Sequence, residues 1–209
     1  MAQTETSAWL NFALQQMAAE SYLDGIDITN DSLVRLRLLS GNNRPGFTLD
    51  NYTRFTEELA DRFLTSYARV AHHANDATGF SATLTQERGT NNFTLSFRST
   101  EYRSQPVGDA QRDSVQGADG EIAGVGFALA QLVSMERYYR TLRASGQLPS
   151  NAVLTVTGYS LGGHLATIFT ELHSAEIQHT YTFNGAGRGH IGGGSSILTE
   201  ADRIRGRCV

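Results

Sequence analysis

Residues 152 to 172 read AVLTVTGYSLGGHLATIFTEL, a short apolar run rich in β-branched residues that passes straight into a helix-forming segment. Ser160 sits at the junction, between Gly158 and Gly162. A buried strand that turns into a helix within two or three residues needs an unusual φ at the turn, and small neighbours so that helix and strand can approach closely. That stretch demands a sheet with a helix laid on one face. It fixes the expected class as α/β.

The rest of the chain supplies both layers. Residues 7–24 place Leu10, Ala13, Leu14, Met17 and Ala18 at helical spacing. Residues 29–43 predict a shorter helix, opened by Asn or Asp and stopped at Gly41-Asn42. A third helix is expected over 49–76, with Asp50 as N-cap and a stripe of Phe55, Leu59, Phe63, Tyr67 and Val70. The period then drops to two: 80–87 and 92–98 alternate around the turn cluster RGTN, a hairpin signal. Helix returns over 119–145, with Ile122, Val125, Leu129, Leu132 and Val133 apolar. After the Ser160 turn come a helix over 161–174, a strand over 179–184 and a glycine-rich loop over 185–200. With 209 residues and 40% apolar side chains, a single domain is expected. Its front, 1–76, would be mainly helical, and 80–209 would carry the β/α chemistry.

Composition removes several functions. All 17 basic residues are Arg, so no Schiff base, Ser-Lys dyad or P-loop lysine is available. A net charge of −4 argues against nucleic acid as the main partner. Cys208 is the single cysteine, which excludes an intrachain disulfide. No run approaches 18 apolar residues, so no membrane span is expected, and the first residues lack the pattern of a signal peptide. No metal or cofactor is implied.

Ser160 on such a turn is a candidate nucleophile. The helix behind it points its N-terminus at the reacting atoms, and the amide of Leu161 is a candidate oxyanion donor. A phosphate-binding turn is the competing use, but the spaced glycines of a dinucleotide fingerprint are missing. A second oxyanion donor is expected in the loop after an earlier strand, where TLSFRSTEYRSQ places polar residues behind an alternating run.

Three segments, in order, carry a resemblance to the class 3 lipases: FRST resembles their F-R-G-T stretch, VTGYSLGGHLA their nucleophile segment, and YTFNGAGRG the strand and glycine turn that follow. The resemblance spans residues 80–190 by motif. It implies an α/β-hydrolase-type sheet, a lipase or esterase that works through an acyl-enzyme on Ser160, an ester or lipid substrate, and a secreted protein. It assigns the oxyanion side chain to Thr100. Ser99 departs from the pattern, standing where the family commonly has Gly. The helical front and TNNFTLSFRSTEY also resemble the N-terminal part of large bacterial lipase-like proteins that carry calcium-binding repeats; GGGSS lacks the spaced Asp of such a repeat.

Hydrolases of this fold order their triad Ser, acid, His. After Ser160 the acids are Glu171, Glu176, Glu200 and Asp202, and the histidines are His164, His173, His179 and His190. Glu200 and Asp202 have no histidine after them. His190, in the glycine-rich loop past a strand end, is the in-chain candidate base, and Asp202 the candidate orienting acid. His164, His173, His179 and the pair His72-His73 are expected to be structural. The alternative expectation is that the sheet is incomplete on its C-terminal side, with acid and base beyond residue 209. The chain would then be a truncated, inactive hydrolase-fold fragment with a binding or assembly role. An acyltransferase on the same scaffold is not separable from a hydrolase. An incomplete sheet would leave the 179–184 strand as an edge, which a homodimer could cover.

Overall fold

A computed structural model describes residues 5–21, 23–42, 54–100, 118 and 128–186. The front contains α1 (Glu5–Ala19), α2 (Asp31–Ser40) and α3 (Glu57–Ser66). Strands β1 (Tyr67–His73), β2 (Ala82–Glu87) and β3 (Asn92–Phe97) follow, then α4 (Leu129–Ala144), β4 (Val153–Tyr159), α5 (Leu161–Leu172) and β5 (Ile177–Phe183). The sheet runs β1-β2-β3-β4-β5. Its first three strands are antiparallel neighbours, and β3, β4 and β5 are parallel. This is an α/β architecture, a mixed sheet with a helical N-terminal segment, as expected.

The expected hairpin forms in register, Ala82 opposite Phe97 and Gln86 opposite Phe93. The third helix does not run to residue 76. It starts on Thr56, whose hydroxyl accepts the Leu59 amide at 3.3 Å, and it ends at Ser66. Asp50 lies outside the described residues. Tyr67 takes φ −127 and ψ 134 and begins β1, so the lower half of the Phe55–Val70 stripe belongs to a strand. The physical reason is non-local: the hairpin offers β2 an open edge, and β1 takes it from Tyr67 opposite Glu87 to His73 opposite Ala82, with a bulge between Arg69 and Ala71.

The two faces of the sheet are covered in opposite ways. One face presents Leu84, Leu95, Phe97, Leu154 and Val156 to Leu132, Met135 and Leu142 of α4 and to Leu165, Ile168 and Phe169 of α5, an apolar core. The other presents Thr83, Thr85, Thr94, Ser96, Thr155 and Thr157, all buried. Alternation of apolar and hydroxyl residues usually marks a solvent face. Here α1 lies over it and answers with amides. Gln15 Oε1 accepts from Thr85 at 2.6 Å, and Gln16 Oε1 accepts from Thr157 at 2.7 Å, whose oxygen is also 2.7 Å from Ser96 Oγ. Buried hydroxyls without partners would cost about 1–3 kcal/mol each, so the helix and the polar face specify one another. The opposite side of α1 gives Leu14 and Ala18 to a second apolar core with Val34, Leu38, Ala60 and Phe63 of α2 and α3.

Candidate active site

Parallel pairing brings three chain segments to one edge. Phe97 lies opposite Gly158 and Tyr159 opposite Phe183, so the segments leaving β3, β4 and β5 emerge side by side. Adjacent strands are about 4.8 Å apart, which puts the segment after Phe97 next to the Ser160 turn.

Ser160 has φ 51 and ψ −118, one of two positive-φ non-glycine residues among those described. Such a backbone costs about 1–3 kcal/mol and persists only where its surroundings hold it. Those surroundings are visible. The Ser160 amide donates to Phe183 O at 3.1 Å, and the Ser160 carbonyl accepts from Gly163 at 2.9 Å and from Ala186 at 2.9 Å. The glycines explain the rest. A Cβ on Gly158 would stand 2.0 Å from Gly162 O; one on Gly162 would stand 2.2 Å from Phe97 O and 2.9 Å from Arg98 O. Gly162 is thus the point at which α5 touches the FRST segment. Gly163 and Gly185 make a similar contact, where a Cβ on Gly163 would meet Gly185 Cα at 2.5 Å. Asn184, at φ 47, turns the chain after β5 toward it.

Leu161 opens α5, and the first amides of a helix have no carbonyl inside it to bind. Its N–H therefore has no partner within the helix. Thr100 is buried, three residues beyond Phe97. The residues leading to it are tied down. Arg98 donates from Nη2 to Asp24 Oδ2 at 2.9 Å and from Nη1 to Oδ1 at 3.2 Å. Ser99 donates its amide to Glu20 Oε1 at 3.0 Å and its hydroxyl to Oε2 at 2.6 Å. Burial pushes the Glu20 carboxyl up, against hydrogen bonds from Ser99 and Gln16 that lower it. Neither Glu20 nor Asp24 has a signature in the sequence, because their roles depend on α1 crossing the sheet.

A cavity of about 200 Å³ opens beside this edge, lined by Ala13, Gln16, Met17, Glu20, Asn42, Tyr159 and Phe183. Tyr159 is the residue before Ser160, so the cavity begins one residue from that turn. A second cavity of about 130 Å³, by Asn92, Val153 and His179, lies at the opposite ends of the strands.

Among the described residues, no histidine–carboxylate pair stands at Ser160. His164 is fully buried, its Nε2 3.4 Å from the Ala128 amide. His173 caps the far end of α5, roughly 20 Å from Ser160 along the helix. There its Nε2 is 2.5 Å from Glu136 Oε1, in a network with Glu176, Tyr139 and Arg143. His72 is 2.6 Å from Asp24 Oδ1 but sits on β1, three strands from β4 and roughly 14 Å across the sheet. His73 pairs with Asp76 at 3.2 Å. His179 is exposed on β5, four residues before the strand's C-terminal end. His190 and Asp202 lie outside the described residues. No group of three or more metal-binding side chains is present among those described, and no described helix is long and apolar enough to cross a membrane.

No family model matches the chain, and no curated protein matches it. Solved structures similar to it include lipases. One is from Rhizopus microsporus var. chinensis, at 12% identity and a TM-score of 0.48 over 87% of this chain and 58% of that one. Another is the Lip2 lipase from Yarrowia lipolytica, at 14% identity and 0.42 over 96% and 64%. A third is the Rhizomucor miehei lipase in its propeptide complex, at 15% identity and 0.38 over 87% and 54%. The chain spans between about half and two thirds of the length of these solved chains.

Proposed function

We propose that this chain is a serine ester hydrolase, of a kind with the class 3 lipases of bacteria, and that Ser160 forms the acyl-enzyme. The observation that carries this is the strained backbone of Ser160, held at φ 51 by hydrogen bonds to the end of β5 and by glycine contacts that admit no Cβ. A turn of this cost is kept where a side chain must be displayed.

Ser160 Oγ attacks the acyl carbonyl, and its proton passes to a base. The carbonyl oxygen becomes an oxyanion facing the Leu161 amide and the Thr100 side chain. Collapse of the tetrahedral adduct releases the alcohol, and water then frees the acid. His190 is the proposed base and Asp202 its orienting acid. The cavity between α1 and Tyr159 takes the acyl group. At about 200 Å³ it is smaller than a typical drug-sized pocket, which favours short acyl chains.

Fluorophosphonate labelling tests this. The parent chain should label at Ser160 and lose the label in Ser160→Ala. No labelling of a chain with a folded circular dichroism spectrum would sink the proposal and leave the competing one, a hydrolase-fold scaffold that binds without catalysis.

A further inference from the structure

We propose that Glu20 is a positioning residue for the oxyanion loop, fixing Thr100 through Ser99; the proposal rests on the ester-hydrolase assignment above.

Ser99 stands where the related motif has glycine, and a serine there brings a hydroxyl into a buried place. Glu20 takes both of its donors, the amide at 3.0 Å and the hydroxyl at 2.6 Å. Glu20 is itself fixed. Gln16 Nε2 lies 2.8 Å from Glu20 Oε1 and donates to Phe97 O at 2.8 Å, while Gln16 Oε1 accepts from Thr157 on β4. A continuous hydrogen-bonded chain therefore runs from the strand that carries Ser160, through α1, to the residue before Thr100. Gly162 closes the circuit from the other side by resting on Phe97 O and Arg98 O. The donor loop and the nucleophile are held to one another by two independent ties, one through backbone contact and one through Glu20. Oxyanion donors are effective only when preorganised within a fraction of an ångström, so a carboxylate that sets the peptide before Thr100 controls the rate of bond formation through that loop.

The test measures fluorophosphonate inactivation as separate binding (KI) and bond-forming (kinact) constants. Glu20→Met removes both acceptors at similar volume; Glu20→Gln keeps one. Expected is a kinact loss of about 10–100-fold in Glu20→Met, with KI within about twofold and a cooperative melt. Glu20→Gln should keep at least a tenth of the parental kinact. Ser99→Ala should lose rate as well, and Glu20→Met/Ser99→Ala should be no slower than Glu20→Met alone, since the two act through one contact. A folded Glu20→Met that labels within twofold of the parent overturns the proposal, as do losses that simply multiply in the double variant. If Glu20→Met fails to fold, Ser99→Ala with parental kinact overturns it instead. Hydrogen exchange at the Ser99 amide keeps the two assignments apart. Should the parent resist the label, the hydrolase assignment falls and exchange alone decides: protection lost at least tenfold in Glu20→Gln or Glu20→Met supports the clamp, and unchanged protection overturns it.

Discussion

Replacing Gly158 with alanine would place a methyl carbon 2.0 Å from Gly162 O, 2.3 Å from Gly162 C and 2.7 Å from Gly163 N. Real Cβ atoms keep at least 3.0 Å from such atoms, so the first turn of α5 must shift by about 1 Å from β4. The neighbours are backbone on both sides, with no flexible side chain to yield. Overpacking of that kind costs about 3 kcal/mol, at the upper end of the usual range. At this chain length it should lower the melting temperature by about 6–12 °C. The same 1 Å displaces Ser160 and Leu161 from Thr100, and a misplacement of that size slows a reaction about a hundredfold. Gly146→Ala is the control. Gly146 has φ +73 but nothing within 4 Å of a Cβ, so alanine there costs only the left-handed backbone, about 1 kcal/mol, and leaves labelling untouched. Calorimetry and fluorophosphonate kinetics on both variants decide the matter. A Gly158→Ala protein that melts within about 2 °C of the parent and labels at the parental rate would refute the elbow geometry.

Three further outcomes are expected. Gln16→Leu strips partners from the Thr157 hydroxyl, the Phe97 carbonyl and Glu20, and should destabilise by about 3 kcal/mol in urea unfolding; a loss under about 1 kcal/mol would contradict the polar interface described for α1. Burial pushes the Asp24 carboxyl up, but the His72 hydrogen bond and the Arg98 charge outweigh it and hold it at about 2. A depressed folded value gives stability above the ordinary value of 3.8 that is lost as pH falls toward 2, so Asp24→Asn should cost about 2 kcal/mol at pH 6 and progressively less below pH 4; a deficit that stays constant with pH would contradict this. Ala13→Phe narrows the cavity beside Tyr159 and should lower the ratio of octanoate to acetate ester hydrolysis about tenfold, at roughly 0.8 kcal/mol per excluded methylene; an unchanged ratio would place the acyl group elsewhere.

Local signals carried the hairpin, the β4–turn–α5 unit and β5. Each is written in a few contiguous residues, by alternation, by RGTN, or by the glycines around Ser160. The strand β1 was not legible. Phe63, Tyr67 and Val70 keep a helical period across the change, no Gly or Pro marks it, and the alternation it does possess is disguised because one of its buried positions is Arg69. Arg69 can be buried because its Nε donates to Ile28 O at 3.0 Å and its guanidinium pairs with Asp31. Nothing in residues 67–73 announces either partner. The site divides in the same way. The sharp turn at Ser160 was readable because turn geometry is local. The Glu20–Ser99 contact and the cavity beside Tyr159 were not, because each is made by a helix more than seventy residues upstream laid across the sheet.

The position of α1 between two cores bears on how a substrate could enter. A helix laid beside a cavity can in principle swing away to open it. This helix cannot play that part cheaply: lifting it would strand the hydroxyls of Thr85 and Thr157, uncouple Ser99 from Glu20 and pull Leu14 and Ala18 out of the frontal core at once. It behaves as a wall built into the frame rather than a door hung on it. A chain trimmed to begin at β1 would lose the floor of the cavity beside Tyr159 and the cover of its polar sheet face, so attempts to shorten this protein should cut elsewhere.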